Sequence, residues 1–355
     1  MAEGGMPVGR NKPGYAALVV NIESVRSDLN DFRPRPSARE DITNLLHIFN
    51  KLGLTCINES SSDHTNLTVG QWDHNRASNH TNSDVENCGA CLRCKIRSKD
   101  HSESRCFFLA MSSHGREITE TEVMFSDEES VKLTEIFDAL SDENCPSLKG
   151  IPRIILILAC RGNFKDPERN QARQDRGVPI NISNKPKGKE DHKEPARSVR
   201  RTNSQTPLTS GASSAQECYF HHASLSQLPN DFLLVYPSVS GQLTHSNETD
   251  GSWLVNAMKD AINEYLGTVP PPTSLDFFHL ITAAAGRVAM IESHVLETDN
   301  NGQKVGRNGK RKLDTKDEEK SGFKNAVCSH HRLSEPLDFD LNHKQDSCIP
   351  KPTFF

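Results

Sequence analysis

Residues 151–162, IPRIILILACRG, decide how this chain is read. The apolar run 154–159 has no alternation and contains Ile154, Ile155 and Ile157, the pattern of a strand buried on both faces. It stops at Cys160, and Arg161 and Gly162 follow at once. A buried strand thus delivers a thiol to its own carboxyl end, where parallel sheets gather ligands and reactive groups.

Working outward, three more runs have the same character: 15–22 (YAALVVNI), 106–111 (CFFLAM) and 232–236 (FLLVY). Between and after them lie segments with helical spacing. Residues 39–52 place Ile42, Leu45, Leu46, Phe49 and Leu52 on one face, and 131–140 do so with Leu133, Ile136 and Phe137. Residues 253–266 and 275–290 repeat the pattern. Solid strands alternating with amphipathic helices predict an α/β fold whose largely parallel sheet is covered on both sides. Three polar stretches interrupt the order: 58–104, 165–230 and 297–346. The expected organisation is a short N-terminal peptide (1–14) and a larger block (15–164) with a polar insertion (58–104). A flexible linker (165–230), a smaller block (231–295) and a polar insertion with a shortened C-terminal tail (296–355) follow.

The 355 residues are only 34% hydrophobic and carry a net charge of −5, which leaves no basic footprint for nucleic acid. No apolar stretch reaches the roughly 18–20 residues of a membrane span. The opening MAEGGMPVGRNKPGY lacks the apolar segment of a signal peptide, so a cytoplasmic chain with ten reduced cysteines is expected. Three of these form CGACLRC (Cys88, Cys91, Cys94), with His80 and His101 nearby in sequence. Zinc takes four ligands, usually as two spaced pairs, so free thiols are the expectation and no metal or cofactor is assigned.

A second strand also ends in a reactive group, because CFFLAMSSHG delivers His114. Taken singly, a cysteine ending a strand is usually core and Ser-His-Gly usually a turn. Together they supply what acyl transfer needs. A thiol attacks a carbonyl as thiolate and requires an imidazole to take its proton and return it to the leaving amine. The oxyanion requires donors, and the N–H groups of Gly115 and Cys160 are the candidates.

Several longer segments carry a resemblance. VKLTEIFDALSDENCPSLKGIPRIILILACRG, SHG, DGSWLVNAMKDAINEY, SLDFFHLITAAAGRVA and RPSAREDITNLLHIFNKLG occur in the order seen in caspases, cytosolic cysteine endopeptidases that cut after aspartate. The chain resembles a caspase of the short-prodomain, effector-like kind. The resemblance implies the caspase-hemoglobinase three-layer α/β/α fold with a central, mostly parallel sheet. It implies Cys160 as nucleophile, His114 as general base and acid, and Gly115 and Cys160 as oxyanion hole. It also implies protein substrates, maturation by cleavage in 165–230, and a role in programmed cell death.

The same alignment marks departures. Caspases hold the substrate aspartate with two arginines and a glutamine. The first arginine falls on Arg35, whereas the glutamine position is Leu158 and the second arginine position is Ser246. The neighbouring pocket has Leu243 and His245 in place of aromatic residues, and Arg33, Arg39 and His245 are candidates to compensate. The tail HKQDSCIPKPTFF resembles the run into the strand that pairs across the caspase dimer axis, but stops there, so a homodimer or a heterodimer with another caspase stays open. Three functions follow: a caspase-type endopeptidase, a weakly active or inactive homologue that regulates active caspases, or a peptidase with altered P1 preference.

Overall fold

A computed structural model describes residues 12, 14–22, 35–76, 88–117, 119–161, 228–240, 242, 244–247, 249–270, 272–291, 306–307, 310–311 and 325–341. Its strands are β1 (Gly14–Val20), β2 (Leu54–Cys56), β3 (Phe107–Ser112), β4 (Gly115–Glu117), β5 (Thr121–Met124), β6 (Ser130–Lys132), β7 (Arg153–Leu158) and β8 (Phe232–Tyr236). Short strands follow: β9 (Ser246–Asn247), β10 (Gly251–Ser252), β11 (Ser274–Asp276), β12 (Gly306–Arg307), β13 (Lys310–Arg311), β14 (Cys328–His331) and β15 (Asp338–Asp340). The helices are α1 (Ala38–Lys51), α2 (Ser61–His64), α3 (Val69–Trp72), α4 (Leu92–Arg97), α5 (Leu133–Ala139), α6 (Trp253–Leu266) and α7 (Phe277–Met290).

The main sheet has the order β14-β8-β7-β3-β1-β2. All pairings within it are parallel except β14 against β8. The four apolar runs of the sequence are its interior strands, as their unbroken hydrophobicity requires. β14 lies in the stretch 296–355, read from sequence as polar. Its residues CSHH have no apolar run, because an antiparallel edge strand has one face and one side in solvent.

Strand alternation sorts the core into two layers. Ala16, Leu18, Phe108, Ala110, Ile154, Leu156 and Leu158 pack under α1, α6 and α7. Ala17, Val19, Phe107, Leu109, Ile155, Ile157 and Ala159 pack on the other side, against α5 and the apolar residues of α3 and α4. This is the three-layer α/β/α architecture. No helix among the described residues is long and apolar enough to cross a membrane. The linker and tail expectations fall largely outside the described residues, as do Arg33, His80 and Leu243.

Candidate active site

β3 and β7 are hydrogen-bonded in parallel, with Ser112 opposite Leu158. His114 and Cys160 each follow two residues beyond this pair, at the carboxyl ends of neighbouring strands. The ladder persists past the strand ends, since the Ser113 N–H donates to the Leu158 carbonyl at 3.2 Å. His114 is half-buried, and its carbonyl accepts from the Met124 N–H at 2.9 Å.

That bond fixes the next residue. With His114 and Met124 joined, Gly115 and Val123 form a non-hydrogen-bonded antiparallel pair, so the Gly115 N–H points away from β5. A side chain is excluded there: a Cβ on Gly115 would lie 2.7 Å from the Ala159 Cβ and 2.9 Å from the Glu122 carbonyl oxygen. Only glycine lets β4 pass this close to the loop carrying Cys160.

Cys160 is partly buried, and its Sγ accepts from the Thr244 N–H at 3.4 Å. Thr244 is held in turn by its hydroxyl, which donates to the Ala159 carbonyl at 2.9 Å. Burial pushes the thiol pKa up, while the Thr244 N–H and the charge of Arg35 partly offset it. Ionisation there is harder than for an exposed cysteine, which favours attack assisted by a base. Next along the chain, Arg161 is clamped. It donates to Glu117 at 2.6 Å and lies 3.9 Å from the centroid of the Tyr236 ring. Ser240 donates to the second Glu117 oxygen at 2.7 Å.

The three residues aligned with the aspartate pocket have unlike surroundings. Arg35 donates to the Asn21 carbonyl and to Ser112 Oγ, both at 2.9 Å, and lies 4.0 Å from Asp41. Burial lowers its pKa, opposed by the nearby Asp41 and Cys160. Leu158 shares the layer of Arg35 and α1 but is only 1% exposed. Ser246 is exposed, with its Oγ 3.3 Å from Ser37 Oγ. Of the candidates to compensate, Arg39 is exposed. His245 stacks on Trp253, with ring centroids 5.1 Å apart, and burial lowers its pKa, which disfavours a cation there.

The residues missed from sequence are those that hold the others. Asp41 is buried and accepts from Ser112 Oγ at 2.6 Å and from the Ser252 N–H and Oγ, each at 2.7 Å. Its signal was a carboxylate in line with Ala38, Leu45 and Ile48 on the buried face of α1. Thr244 and Glu117 carried no signal of their own. Away from this site, His74, Cys88, Cys91 and Cys94 bring one ligand atom each within 4.8 Å of one another. His101 is elsewhere, wedged edge-on between Tyr15 and Phe107.

The family model of the caspase domain matches residues 15–310. Caspase-1 of Spodoptera frugiperda is 24% identical over 295 residues, 80% of this chain and 73% of that protein. Caspase drICE of Drosophila melanogaster is 28% identical over 193 residues, 54% of this chain and 43% of that one. The crystal structure of Caspase-1 from Spodoptera frugiperda superposes with a TM-score of 0.56 at 19% identity, covering 96% of this chain and 98% of that one. Over most of its length, this chain belongs to the caspase family.

Proposed function

We propose that this chain is a cysteine endopeptidase of protein substrates, with Cys160 as nucleophile and His114 as general base and acid. The observation that supports the reading is the β3–β7 register, from which His114 and Cys160 each follow two residues beyond the Ser112–Leu158 pair at the carboxyl end of the sheet. His114 takes the Cys160 proton as sulfur bonds to the scissile carbonyl carbon. The N–H groups of Gly115 and Cys160 receive the oxyanion. His114 then protonates the departing amine, and a water activated by the same imidazole hydrolyses the thioester, returning the free thiol. The raised thiol pKa supports a base-dependent attack rather than a standing ion pair. Action in the cytoplasm, within programmed cell death, and maturation by a cut in 165–230 belong to the same proposal.

P1 preference departs from aspartate in this reading. A charge-assisted hydrogen bond contributes about 1.5–3 kcal/mol. With Leu158 and Ser246 in place of two such donors, cleavage after aspartate falls by roughly 10²–10⁴ in kcat/KM. A panel of fluorogenic peptides differing only at P1, run on protein nicked in the linker, tests this. Cleavage after a neutral residue supports the altered preference. Absence of cleavage at every P1, with pairing to an active caspase, supports the second reading of a regulatory homologue. That reading is favoured by Leu158 alone, whose burial leaves no donor at the glutamine position.

A further inference from the structure

We propose that the insertion between β2 and β3 holds a zinc ion in a Cys3His site formed by His74, Cys88, Cys91 and Cys94. The distances fit one tetrahedral ion. His74 Nδ1 lies 3.4 Å from Cys91 Sγ and 3.6 Å from Cys94 Sγ. Tetrahedral zinc with Zn–S near 2.3 Å and Zn–N near 2.0–2.1 Å separates sulfur from nitrogen by about 3.6 Å. All four ligand atoms lie within 4.8 Å of one another.

The backbone turns the sulfurs toward that point. Cys88 Sγ accepts from the Cys91 N–H at 3.2 Å, and Cys91 Sγ accepts from the Cys94 N–H at 3.5 Å. Gly89, between the first two thiols, has φ +66, the left-handed conformation that lets the chain fold back on itself. Such N–H···S bonds are the outer contacts that orient ligands at metal centres.

Packing gives an independent reason. α4 turns Leu92 and Ile96 into the second core layer, yet Cys91 and Cys94, each 3% exposed, belong to neither apolar cluster. They face His74 instead. Apolar packing does not explain three thiols and an imidazole gathered on one point, whereas three soft sulfurs and one imidazole are a donor set for zinc. The surrounding helices have four, four and six residues, too few to be stable alone. A metal would tie them together. They in turn brace the active-site layer, because Ser126 N–H donates to the Leu67 carbonyl at 2.9 Å and Ile22 N–H to Asn66 Oδ1 at 2.8 Å. The Ile22 carbonyl then accepts from the Arg35 N–H.

The test uses the full chain, purified under reducing conditions. Its metal content, measured by plasma mass spectrometry, should be about one zinc per chain. The metal-free chain titrated with Co²⁺ should show thiolate-to-cobalt charge transfer and the intense visible bands of a tetrahedral site. Zinc should slow alkylation of Cys88, Cys91 and Cys94 at least tenfold, read peptide by peptide. Cys91→Ser should lose at least nine-tenths of the zinc, and Cys160→Ala should lose none, which separates this site from the proposed nucleophile. If Cys91→Ser does not fold, the cobalt spectrum and alkylation of the unaltered chain still decide. Reduced thiols without zinc or a cobalt spectrum, a disulfide within the cluster, copper(I) in place of zinc, or zinc lost with Cys160→Ala would each overturn the proposal.

Discussion

Cys160 and the Cys88–Cys91–Cys94 cluster contain the same functional group in opposite settings. Cys160 follows a strand whose register is locked by the sheet, with one N–H on its sulfur, and the proposed base, His114, follows the adjacent strand. Of the three clustered thiols, Cys88 and Cys91 lead into the six-residue helix α4 and Cys94 lies within it, and they gather with His74 around one point. A lone thiol beside a base is placed to react. Several thiols around a point are placed to bind. The difference lies in the neighbours and in how rigidly the backbone presents them.

The largest expected effect tests the reactive side of that contrast. Cys160→Ala should lower peptide cleavage by at least about 10³-fold, because the residues of such a unit act together. Turnover surviving at more than a hundredth of the original rate would move the nucleophile elsewhere, and the clustered thiols would be the first to examine.

Next comes the rigidity of the Cys160 loop. Arg161 and Glu117 form an ion pair whose side chains are only 5% and 7% exposed. Glu117→Ala leaves the guanidinium buried without its carboxylate and should cost about 3–5 kcal/mol in denaturant unfolding. Glu117→Leu combined with Arg161→Met should cost less than Glu117→Ala, since no uncompensated charge remains. A loss under about 0.5 kcal/mol for Glu117→Ala would mean that the loop tolerates the break and is no stiffer than an ordinary surface turn.

A smaller effect concerns the pocket beside the thiol. Leu158→Gln with Ser246→Arg should raise kcat/KM after aspartate at least about tenfold, equivalent to 1.4 kcal/mol. Ser246 is exposed and accepts the longer side chain freely, whereas Leu158 lies in the core. Leu158→Gln should therefore also lower stability by about 1–3 kcal/mol, the range for a buried polar group that is imperfectly paired. Unchanged aspartate cleavage in a well-folded double variant would show that these positions do not line the pocket.

The smallest effect is one of pH. Because burial raises the Cys160 pKa, its thiolate fraction at neutral pH is below that of an ordinary cysteine. Its alkylation rate should keep rising with pH beyond the point where a solvent-exposed cysteine levels off, as followed by mass spectrometry. A plateau at neutral pH would mean a standing thiolate–imidazolium pair in place of a thiol that needs a base.

These two regions also differ in how legible they were. The interior strands and the principal helices were readable because buried parallel strands are written as unbroken apolar runs, and so were the positions of His114 and Cys160 just past two strand ends. Predicted helix 39–52 forms as Ala38–Lys51, and predicted strand 154–159 as Arg153–Leu158. The ends shifted by a residue because hydrophobicity marks the buried face and not the last hydrogen bond. Residues 131–132 and 275–276 were assigned to helices, but they form ends of strands β6 and β11. β14 was illegible, since half of an edge strand faces solvent. The fourth member of the thiol cluster was missed for a different reason. His74 is 14 residues before Cys88, a separation that no local pattern spans, and the nearer His101 drew attention while packing elsewhere. Asp41 and Thr244 act through partners distant in sequence, which only the fold brings together.

The parallel pairing of β7 with β8 sets a condition on the chain that joins them. Arg153 faces Phe232 and Leu156 faces Val235, so both strands run the same way, and the connection leaving beyond Cys160 must travel back to the opposite end of the sheet. A six-residue strand is about 20 Å long. A single cut in that connection would leave its two halves attached at opposite ends of the sheet, about 20 Å apart. One of them starts beside Arg161. The β7–β8 hydrogen bonds do not depend on that covalent link, so the sheet itself would hold the two pieces together after a cut.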